Sequence, residues 1–187
     1  MTPAFASART LAFALLLTVA WIIPVHAATS ADTVLTGAPK ATWIADGQGQ
    51  RIVYIFVDPN CPSCALLHRN LRALIGPLDL QVRWIPVAVV NATSLGKAAA
   101  ILQAPDRLAA LRLNEEHYHG ESYSGGIDED IPTAAMERIL RANERLFNRL
   151  DIPVVPTMLF EDRNWRAVII QGALSPVALR KVFARLP

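Results

Sequence analysis

The chain's two cysteines, Cys61 and Cys64, lie three positions apart, where a strand pattern gives way to a helix pattern. Residues 52–57 (IVYIFV) are continuously apolar, β-branched and aromatic, which is typical of a strand covered on both faces. The residues after the cysteines carry leucines at helical spacing, and Pro62 suits the first turn of a helix. The sequence therefore predicts a strand, a CxxC turn and a helix in direct succession.

The spacing of the cysteines favours a redox function over a structural one. A disulfide between Cys61 and Cys64 closes a very short loop, so it removes little conformational entropy from the unfolded chain. Free N–H groups and partial positive charge at the helix start stabilise a thiolate at Cys61, whereas Cys64 lies one turn further along, on the apolar face. We predict that Cys61 attacks and Cys64 resolves the mixed disulfide, with Pro62 and Ser63 completing the motif. No cofactor is predicted.

Other uses of a CxxC pair have different requirements. A zinc site needs four ligands, and the sequence contains neither a second CxxC nor an HxxxH pair. A copper site formed by Cys61, Cys64 and His68 stays open as an alternative, because His68 follows Cys64 by four residues and shares its helical face. A structural disulfide also stays open. The position of the pair between a strand and a helix favours the redox function, for which we predict no metal ion.

The order of the predicted elements defines the fold class. The strand–helix–strand half around the CxxC motif is followed by a block of helices, and then by a strand–strand–helix half. This order predicts an α/β thioredoxin fold with a helical insertion between the βαβ and ββα halves. The remaining segments are an inner strand at 82–90, the helical insertion at 92–150, strands at 156–160 and 167–170, and a last helix at 175–186.

A second proline-containing segment, residues 153–157 (PVVPT), begins a later strand. A proline here has no N–H to offer to the sheet, so its position needs another reason. In a thioredoxin fold this loop packs against the CxxC turn, and a cis Val155–Pro156 bond would expose the Val155 backbone to an extended substrate chain. We predict a cis bond, with Val155 and Pro156 as substrate-binding residues. An ordinary trans proline at the start of a strand is the alternative.

The first residues are predicted to be a secretory signal. Arg9 gives a positive start, residues 11–25 are almost all apolar, and small residues follow. The apolar run is shorter than the roughly 20 residues that a membrane-spanning helix needs, although a retained anchor stays the alternative. We expect cleavage after Ala27 or Ala28 and a periplasmic protein.

The rest of the chain is predicted to be one domain. After a signal peptide at residues 1–27, a short, mostly polar lead at 28–50 includes an edge strand, and the domain occupies 51–187. The formal net charge of +2 does not provide the basic face that nucleic-acid binding requires. The composition therefore argues against a nucleic-acid partner.

Three segments carry a resemblance to a known family. WIADGQGQRIVYIFVDPNCPSC, TSLGKAAAILQAPD and the PVVP loop resemble the catalytic domain of the DsbC/DsbG-type periplasmic thiol:disulfide interchange proteins, closest to the DsbG branch, from about Trp43 to Leu186. The resemblance implies Cys61 as nucleophile, Cys64 as resolving thiol and Pro156 as the cis-proline. It also implies that the substrates are exported proteins with cysteines. A membrane electron-transfer partner would return the pair to its working redox state.

Two departures from that family affect these expectations. Its members carry an N-terminal dimerisation domain, whereas here only the short lead precedes the catalytic domain, so we expect a monomer. Val155 stands where this branch usually has threonine, and Pro62-Ser63 differs from the expected Pro-Tyr. Both changes should alter the reduction potential, in a direction that the sequence does not give.

The leading hypothesis is thus a thiol-disulfide oxidoreductase of the reductase or isomerase type. A DsbA-like oxidant, a copper carrier and an accessory protein for a secretion or conjugation apparatus are the alternatives. Among nearby residues, Asp58 is expected to serve a turn or cap rather than to move a proton, and His68 is expected to pack. His117 and His119 are expected to be neighbours in a loop by chance.

Overall fold

The structure, a computed structural model, describes residues 29–187, so the predicted signal peptide lies outside the described residues. No helix within them is both long enough and apolar enough to span a bilayer. The strands are β1 (Ile44–Asp46), β2 (Arg51–Val57), β3 (Leu80–Pro86), β4 (Thr157–Glu161) and β5 (Ala167–Gln171). The α-helices are α1 (Ser30–Gly37), α2 (Pro62–Arg72), α3 (Ser94–Gln103), α4 (Arg107–Glu116), α5 (Ala134–Phe147) and α6 (Pro176–Phe183).

The strands form one mixed sheet in the order β1-β3-β2-β4-β5. β2 and β3 are parallel and are joined by α2, whereas β4 runs antiparallel to β2 and β5 runs antiparallel to β4. Helices α3, α4 and α5 lie between β3 and β4 in the chain. The predicted fold class, an α/β thioredoxin fold with a helical insertion between its halves, is confirmed.

Strand β2 is buried on both faces, as its apolar sequence predicts. Its side chains alternate, so that Ile55 joins a core cluster with α2, α4 and α6 while Phe56 joins another with α1 and α5. The Phe56 ring packs on Phe147 with a centroid separation of 5.3 Å. Because β2 is anchored from both sides, the turn at its C-terminal end, which carries Cys61, has a rigid base.

Strand β3 is shorter than predicted, since it ends at Pro86 and not at residue 90. Val87 still donates its backbone N–H to the Val57 carbonyl, at 2.9 Å. The amide of Ala88 donates to Glu144 Oε1 at 3.3 Å, and the amides of Val89 and Val90 donate to Asp58 Oδ2 at 2.6 and 2.9 Å. The strand ends because side-chain carboxylates, instead of the carbonyl groups of a neighbouring strand, accept these hydrogen bonds.

The segment before β1 contains α1, a helix that was not predicted from the sequence. Thr29 and Asp32 form a capping box at its start, in which each side chain accepts from the other residue's backbone N–H. Val34 and Ala38 are fully buried against the second core cluster. With so few buried positions, α1 has only a weak apolar period in the sequence, although the capping box was readable there.

Candidate active site

Cys61 is the N-cap residue of α2, directly after the turn that follows β2. Its backbone is extended (φ −91°, ψ 113°), and its Sγ accepts a hydrogen bond from the backbone N–H of Cys64 at 3.2 Å. Pro62 occupies the first turn, where a missing N–H costs nothing. The predicted position of Cys61 between strand and helix is confirmed.

The two sulfurs have opposite electrostatic environments. The pKa of Cys61 is lowered, first by a hydrogen bond with the Cys64 side chain and then by the backbone N–H groups of Cys64 and Ser63, against burial and the charge of Asp58. Cys64 is fully buried (0% exposed). Burial, followed by the Cys61 sulfur and the charge of Glu115, raises the pKa of Cys64 far above the usual thiol range. Of the two thiols, Cys61 therefore loses its proton first as pH increases.

A limiting amount of iodoacetamide should alkylate Cys61 of the reduced protein selectively. The depressed pKa of Cys61 makes its thiolate, and therefore its alkylation, appear at lower pH than in a free peptide, whereas the raised pKa of Cys64 keeps that sulfur protonated. Since one pKa unit changes the thiolate fraction about tenfold, we expect at least about a tenfold rate difference near pH 7. Peptide mapping by mass spectrometry over a pH series measures both rates. A synthetic peptide of residues 58–67 is the control, and equal titration of Cys61 in peptide and protein would refute the assignment.

The proline loop lies against Cys61. The Val155–Pro156 peptide bond is cis, as predicted. The Cys61 thiol donates to the Val155 carbonyl oxygen at 3.5 Å, and the Thr157 hydroxyl donates to the Val154 carbonyl at 2.5 Å. The structure thus brings all of the predicted site residues, including Pro62 and Ser63, to one place. Their roles in exchange stay predictions.

Asp58 organises the turn that precedes Cys61. Its side chain is fully buried and accepts four hydrogen bonds. Oδ1 accepts from the Asn60 backbone N–H and the Ser94 hydroxyl, both at 2.8 Å, and Oδ2 from the Val89 and Val90 amides. The expected role of Asp58 in the turn is confirmed. Its carboxylate also accepts hydrogen bonds from residues at the end of β3 and at the start of α3, which was not predicted.

Asn60, which was not predicted as a site residue, connects the same turn to the insertion by hydrogen bonds. Its buried side-chain amide donates to Asn91 Oδ1 at 2.7 Å and to Thr93 Oγ1 at 2.8 Å, and its Oδ1 accepts from the Gly125 N–H at 3.1 Å. A Cβ on Gly125 would lie 1.9 Å from the side-chain oxygen of Asn114 and 2.4 Å from the Pro59 carbonyl oxygen, so only glycine fits. The turn before Cys61 and the loop after α4 therefore form one packed unit.

The insertion contacts this turn with two further side chains. The Asn114 amide donates to the Pro59 carbonyl at 2.9 Å, and the Tyr118 hydroxyl donates to the Asn60 carbonyl at 3.2 Å. Beside Asn114, Glu115 is only 2% exposed and belongs to the surroundings of Cys64. The signal in the sequence for these residues was weak, since all of them lie more than fifty positions from the turn.

The histidines of the alternative metal sites make other contacts in the structure. His68 is buried and packs on Trp84, with ring centroids 5.5 Å apart, and burial lowers its pKa. His117 contacts the Leu113 carbonyl through Nδ1 at 3.1 Å, while His119 pairs with Ser124 through backbone bonds. Among residues 29–187, no three His, Cys, Asp or Glu side chains are grouped so that they could hold a metal ion.

The chain is similar in sequence to a known domain family and to known proteins. The family model described as "Thioredoxin-like domain" matches residues 38–187. The "Thiol:disulfide interchange protein DsbG" of Pseudomonas aeruginosa is 30% identical over 145 residues, which are 76% of this chain and 56% of that protein. DsbG of Escherichia coli is 29% identical over 127 residues, 67% of this chain and 50% of that protein. The chain thus spans about half the length of the curated relatives it matches.

Solved structures share the fold at lower sequence identity. A periplasmic thioredoxin-like protein from Salmonella enterica serovar Typhimurium superposes with a TM-score of 0.63 at 18% identity, over 85% of this chain and 97% of that one. The catalytic domain of Proteus mirabilis ScsC does so with a TM-score of 0.62 at 18% identity, over 82% and 96%. With a mixed five-stranded sheet, a CxxC motif at the start of α2 and a family match over most of its length, the chain belongs to the thioredoxin-like domain family.

Proposed function

We propose that the protein is a thiol-disulfide oxidoreductase that acts on cysteines of exported proteins, in the reducing or isomerising direction. The observation that carries this proposal is the asymmetry of the pair. Cys61 has a lowered pKa and an amide N–H directed at its sulfur, while Cys64 is fully buried with a raised pKa. One sulfur is suited to attack a substrate disulfide and the other to release the product.

In the proposed reaction, the Cys61 thiolate attacks one sulfur of a client disulfide and the other client sulfur leaves as a thiolate. Cys64 then loses its proton and attacks Cys61, which forms the Cys61–Cys64 disulfide and releases the second client thiol. The client gains two electrons and the pair loses two. Isomerisation follows when the free client thiol, instead of Cys64, attacks the mixed disulfide.

The surroundings of Cys61 support a polypeptide client. Val154 precedes Val155, whose carbonyl oxygen contacts the Cys61 sulfur, and the amides of Val89 and Val90 donate to Asp58 in the turn before Cys61. All three valine side chains are half-exposed. The Val155 backbone beside the sulfur offers hydrogen-bonding groups to an extended chain, the mode in which a peptide adds along a strand. Apolar side chains of a partly unfolded protein would pack against this border, so non-native disulfides are the expected substrates.

The charge of Asp58 supports the reducing direction. Its carboxylate raises the pKa of Cys61, opposing the hydrogen bonds that lower it. A negative charge near the sulfur disfavours the thiolate, and so disfavours the reduced form of the pair. Strong oxidants of this class instead have a stabilised reduced form. The pKa of Cys61 is still lowered on balance, so the charge of Asp58 makes the pair a better electron donor than it would be without that carboxylate.

The proposed setting is the periplasm. The sequence predicts a secretory signal, and the similar protein from Salmonella is described as periplasmic. A reductant there needs a membrane partner that supplies electrons, and we propose such a partner for this chain. We also propose that the protein is a monomer, which light scattering of the purified protein would contradict by returning a dimer mass.

The equilibrium reduction potential, measured in glutathione buffers, tests the proposed direction. We expect a value nearer to about −270 mV, as in thioredoxin, than to the roughly −120 mV of a strong periplasmic oxidant. Asp58→Asn removes the opposing charge, so it should make the potential less negative. The same protein should reduce insulin and reactivate a client with scrambled disulfides. A potential near the oxidant value, with no reactivation, would establish the opposite direction.

A further inference from the structure

A groove with a volume of about 550 Å³ lies between the 3₁₀ helix Ala38–Lys40 and helix α5. The side chains of Ile139, Ala142 and Leu146 recur at helical spacing along α5 and give the groove an apolar strip. Neither wall carries a residue of the redox site, so the groove is a separate feature of the surface. We name it the basic groove. Its cationic side chains are Lys40, Arg138, Arg145 and Arg149.

The positive charge of the basic groove is not balanced by acidic side chains within residues 29–187. No aspartate or glutamate of that part of the chain lines the groove, and none forms a salt bridge with its four cations. The glutamates of α5 have other partners. Glu137 pairs with Arg141, and Glu144 accepts a backbone N–H at 3.3 Å. Since like charges one helical turn apart repel each other, this grouping of cations is suited to an anion from outside the chain.

The dipole of α5 accounts for only part of the arrangement. Arg145 and Arg149 lie at the C-terminal end of α5 and just after it, where the last backbone carbonyl groups favour positive charge. Arg138 lies in the first half of the helix, and Lys40 belongs to the opposite wall. The dipole of α5 favours a cation at neither of these two positions, so their presence in the groove needs another reason.

The walls of the basic groove are held at a fixed separation. Asn143, which is 1% exposed, joins them, because its Oδ1 accepts from the Thr42 N–H at 3.1 Å. Its side-chain amide donates to the carbonyl groups of Thr42 and Pro86 at 3.0 and 2.9 Å. A Cβ on Gly37 would lie 2.5 Å from Cδ1 of Leu146, so the chain before the groove packs directly on α5. A ligand would therefore meet a preformed site, which lowers the entropic cost of binding.

The length and lining of the basic groove identify the class of ligand. Its arginines extend along α5 from Arg138 to Arg149, a distance of about 16 Å. A small anion such as phosphate would reach only one or two of them. A nucleic acid or the headgroups of a lipid bilayer would supply charge but would leave the apolar strip without an apolar partner. A polypeptide segment with both carboxylates and apolar side chains meets both requirements.

We propose that the basic groove binds an acidic, amphipathic helix of a partner protein. Because two adjacent helices have the same rise per residue, carboxylates seven and then four residues apart would face Arg138, Arg145 and Arg149 in turn. Lys40, on the opposite wall, would pair with a carboxylate on the other edge of the same helix. The apolar side chains between these carboxylates would pack on the apolar strip, as in other complexes of a helix in a groove. The cysteines take no part in this contact, which is therefore independent of the proposed redox function.

Fluorescence anisotropy of a labelled peptide measures the contact. The probe is a helical peptide of about 16 residues, with glutamates seven and then four residues apart on one face and leucines on the adjoining face. A second peptide has the same composition, but its glutamates are scattered around the helix. We expect the native protein to bind the first peptide at least about tenfold more tightly than the second, since several exposed ion pairs act together. Binding of the first peptide should weaken as the salt concentration increases.

Arg145→Glu should weaken binding of the first peptide by about tenfold, because it replaces an attraction with a repulsion. The matched control is Arg141→Glu, which makes the same change of charge on the same helix but outside the groove, so the native affinity should be retained. Ala142→Trp fills the apolar strip and should block the peptide. Thermal unfolding of the three variants checks that each is folded.

Several results would overturn the proposal. Equal binding of the two peptides, or equal losses in Arg145→Glu and Arg141→Glu, would show general attraction between opposite charges only. Binding of phosphatidylglycerol vesicles or of a thymidine oligonucleotide, with no binding of either peptide, would assign the groove to a different partner. Failure of the native protein to bind any of these probes would also overturn it.

The variant Cys61→Ser separates this contact from the redox function. It should bind the first peptide with the native affinity, because the groove lies on other elements than the cysteine pair. If the native protein binds the peptide but exchanges no disulfide, the proposed function fails and the basic groove stands. If it exchanges disulfides but does not bind the peptide, only the basic groove fails.

Discussion

Replacing Cys61 with serine should reduce disulfide reduction and isomerisation to the uncatalysed rate. The thiolate is the attacking species, and a serine hydroxyl stays protonated at any physiological pH. Cys64 cannot take over, because it is fully buried and its pKa is raised well above the usual thiol range. Insulin turbidity and reactivation of a client with scrambled disulfides measure the loss.

Cys64→Ser is the matched control for this prediction. It leaves the Cys61 thiol in place but removes the thiol that resolves the mixed disulfide, so client proteins should accumulate covalently on Cys61. Non-reducing gels would show these adducts, and mass spectrometry would name the clients. Substantial activity in Cys61→Ser, or adducts on Cys64, would show that the roles of the two sulfurs have been assigned wrongly.

Replacing Asp58 with alanine should lower the free energy of unfolding by about 3–5 kcal/mol. The change leaves the amides of Asn60, Val89 and Val90 and the Ser94 hydroxyl without their acceptor. Each buried unpaired group costs about 1–3 kcal/mol, partly offset where water can enter. Urea denaturation of both proteins in the reduced state measures the difference.

Asp106→Ala provides the comparison for this loss. Asp106 also accepts a backbone N–H, from Ala109 at 2.9 Å, but it caps an exposed helix end through a single bond. Its removal should cost about 1 kcal/mol. Similar losses in the two variants would mean that the four bonds to Asp58 do not act as a buried network.

The sequence was sufficient for the features that depend on neighbouring residues. The apolar run of β2 and the proline after Cys61 predicted a CxxC turn at a helix start. Thr133 and Ser175 are signals of the same local kind, since their side chains accept backbone N–H groups at the starts of α5 and α6. Such signals are local because the strand period, the helix period and the caps depend on positions a few residues apart. The order of elements then predicted the fold.

The contacts around the cysteine pair could not be predicted from such local patterns. Asn60 meets Gly125, and Asn114 meets Pro59, across 65 and 55 positions of the chain. A single polar residue at such a distance has no period and no neighbour that marks it as buried. Glu115, next to the exposed Glu116 and His117, looks like part of a solvated helix end until α4 is packed on α2. The predicted end of β3 was wrong for a related reason. The side chain of Asp58 accepts hydrogen bonds from backbone amides that would otherwise pair with a strand.

The close packing of Gly125 against the turn before Cys61 limits how this protein can be engineered. A chimaera that received the helical insertion of a relative would also have to receive that relative's version of residues 58–60, because the two surfaces leave no space for even one methyl group between them. A side chain in place of Gly125 would collide with the carbonyl oxygen of Pro59, two residues before Cys61. The insertion and the turn are therefore one module for design, although Gly125 lies 65 positions after Asn60 in the chain.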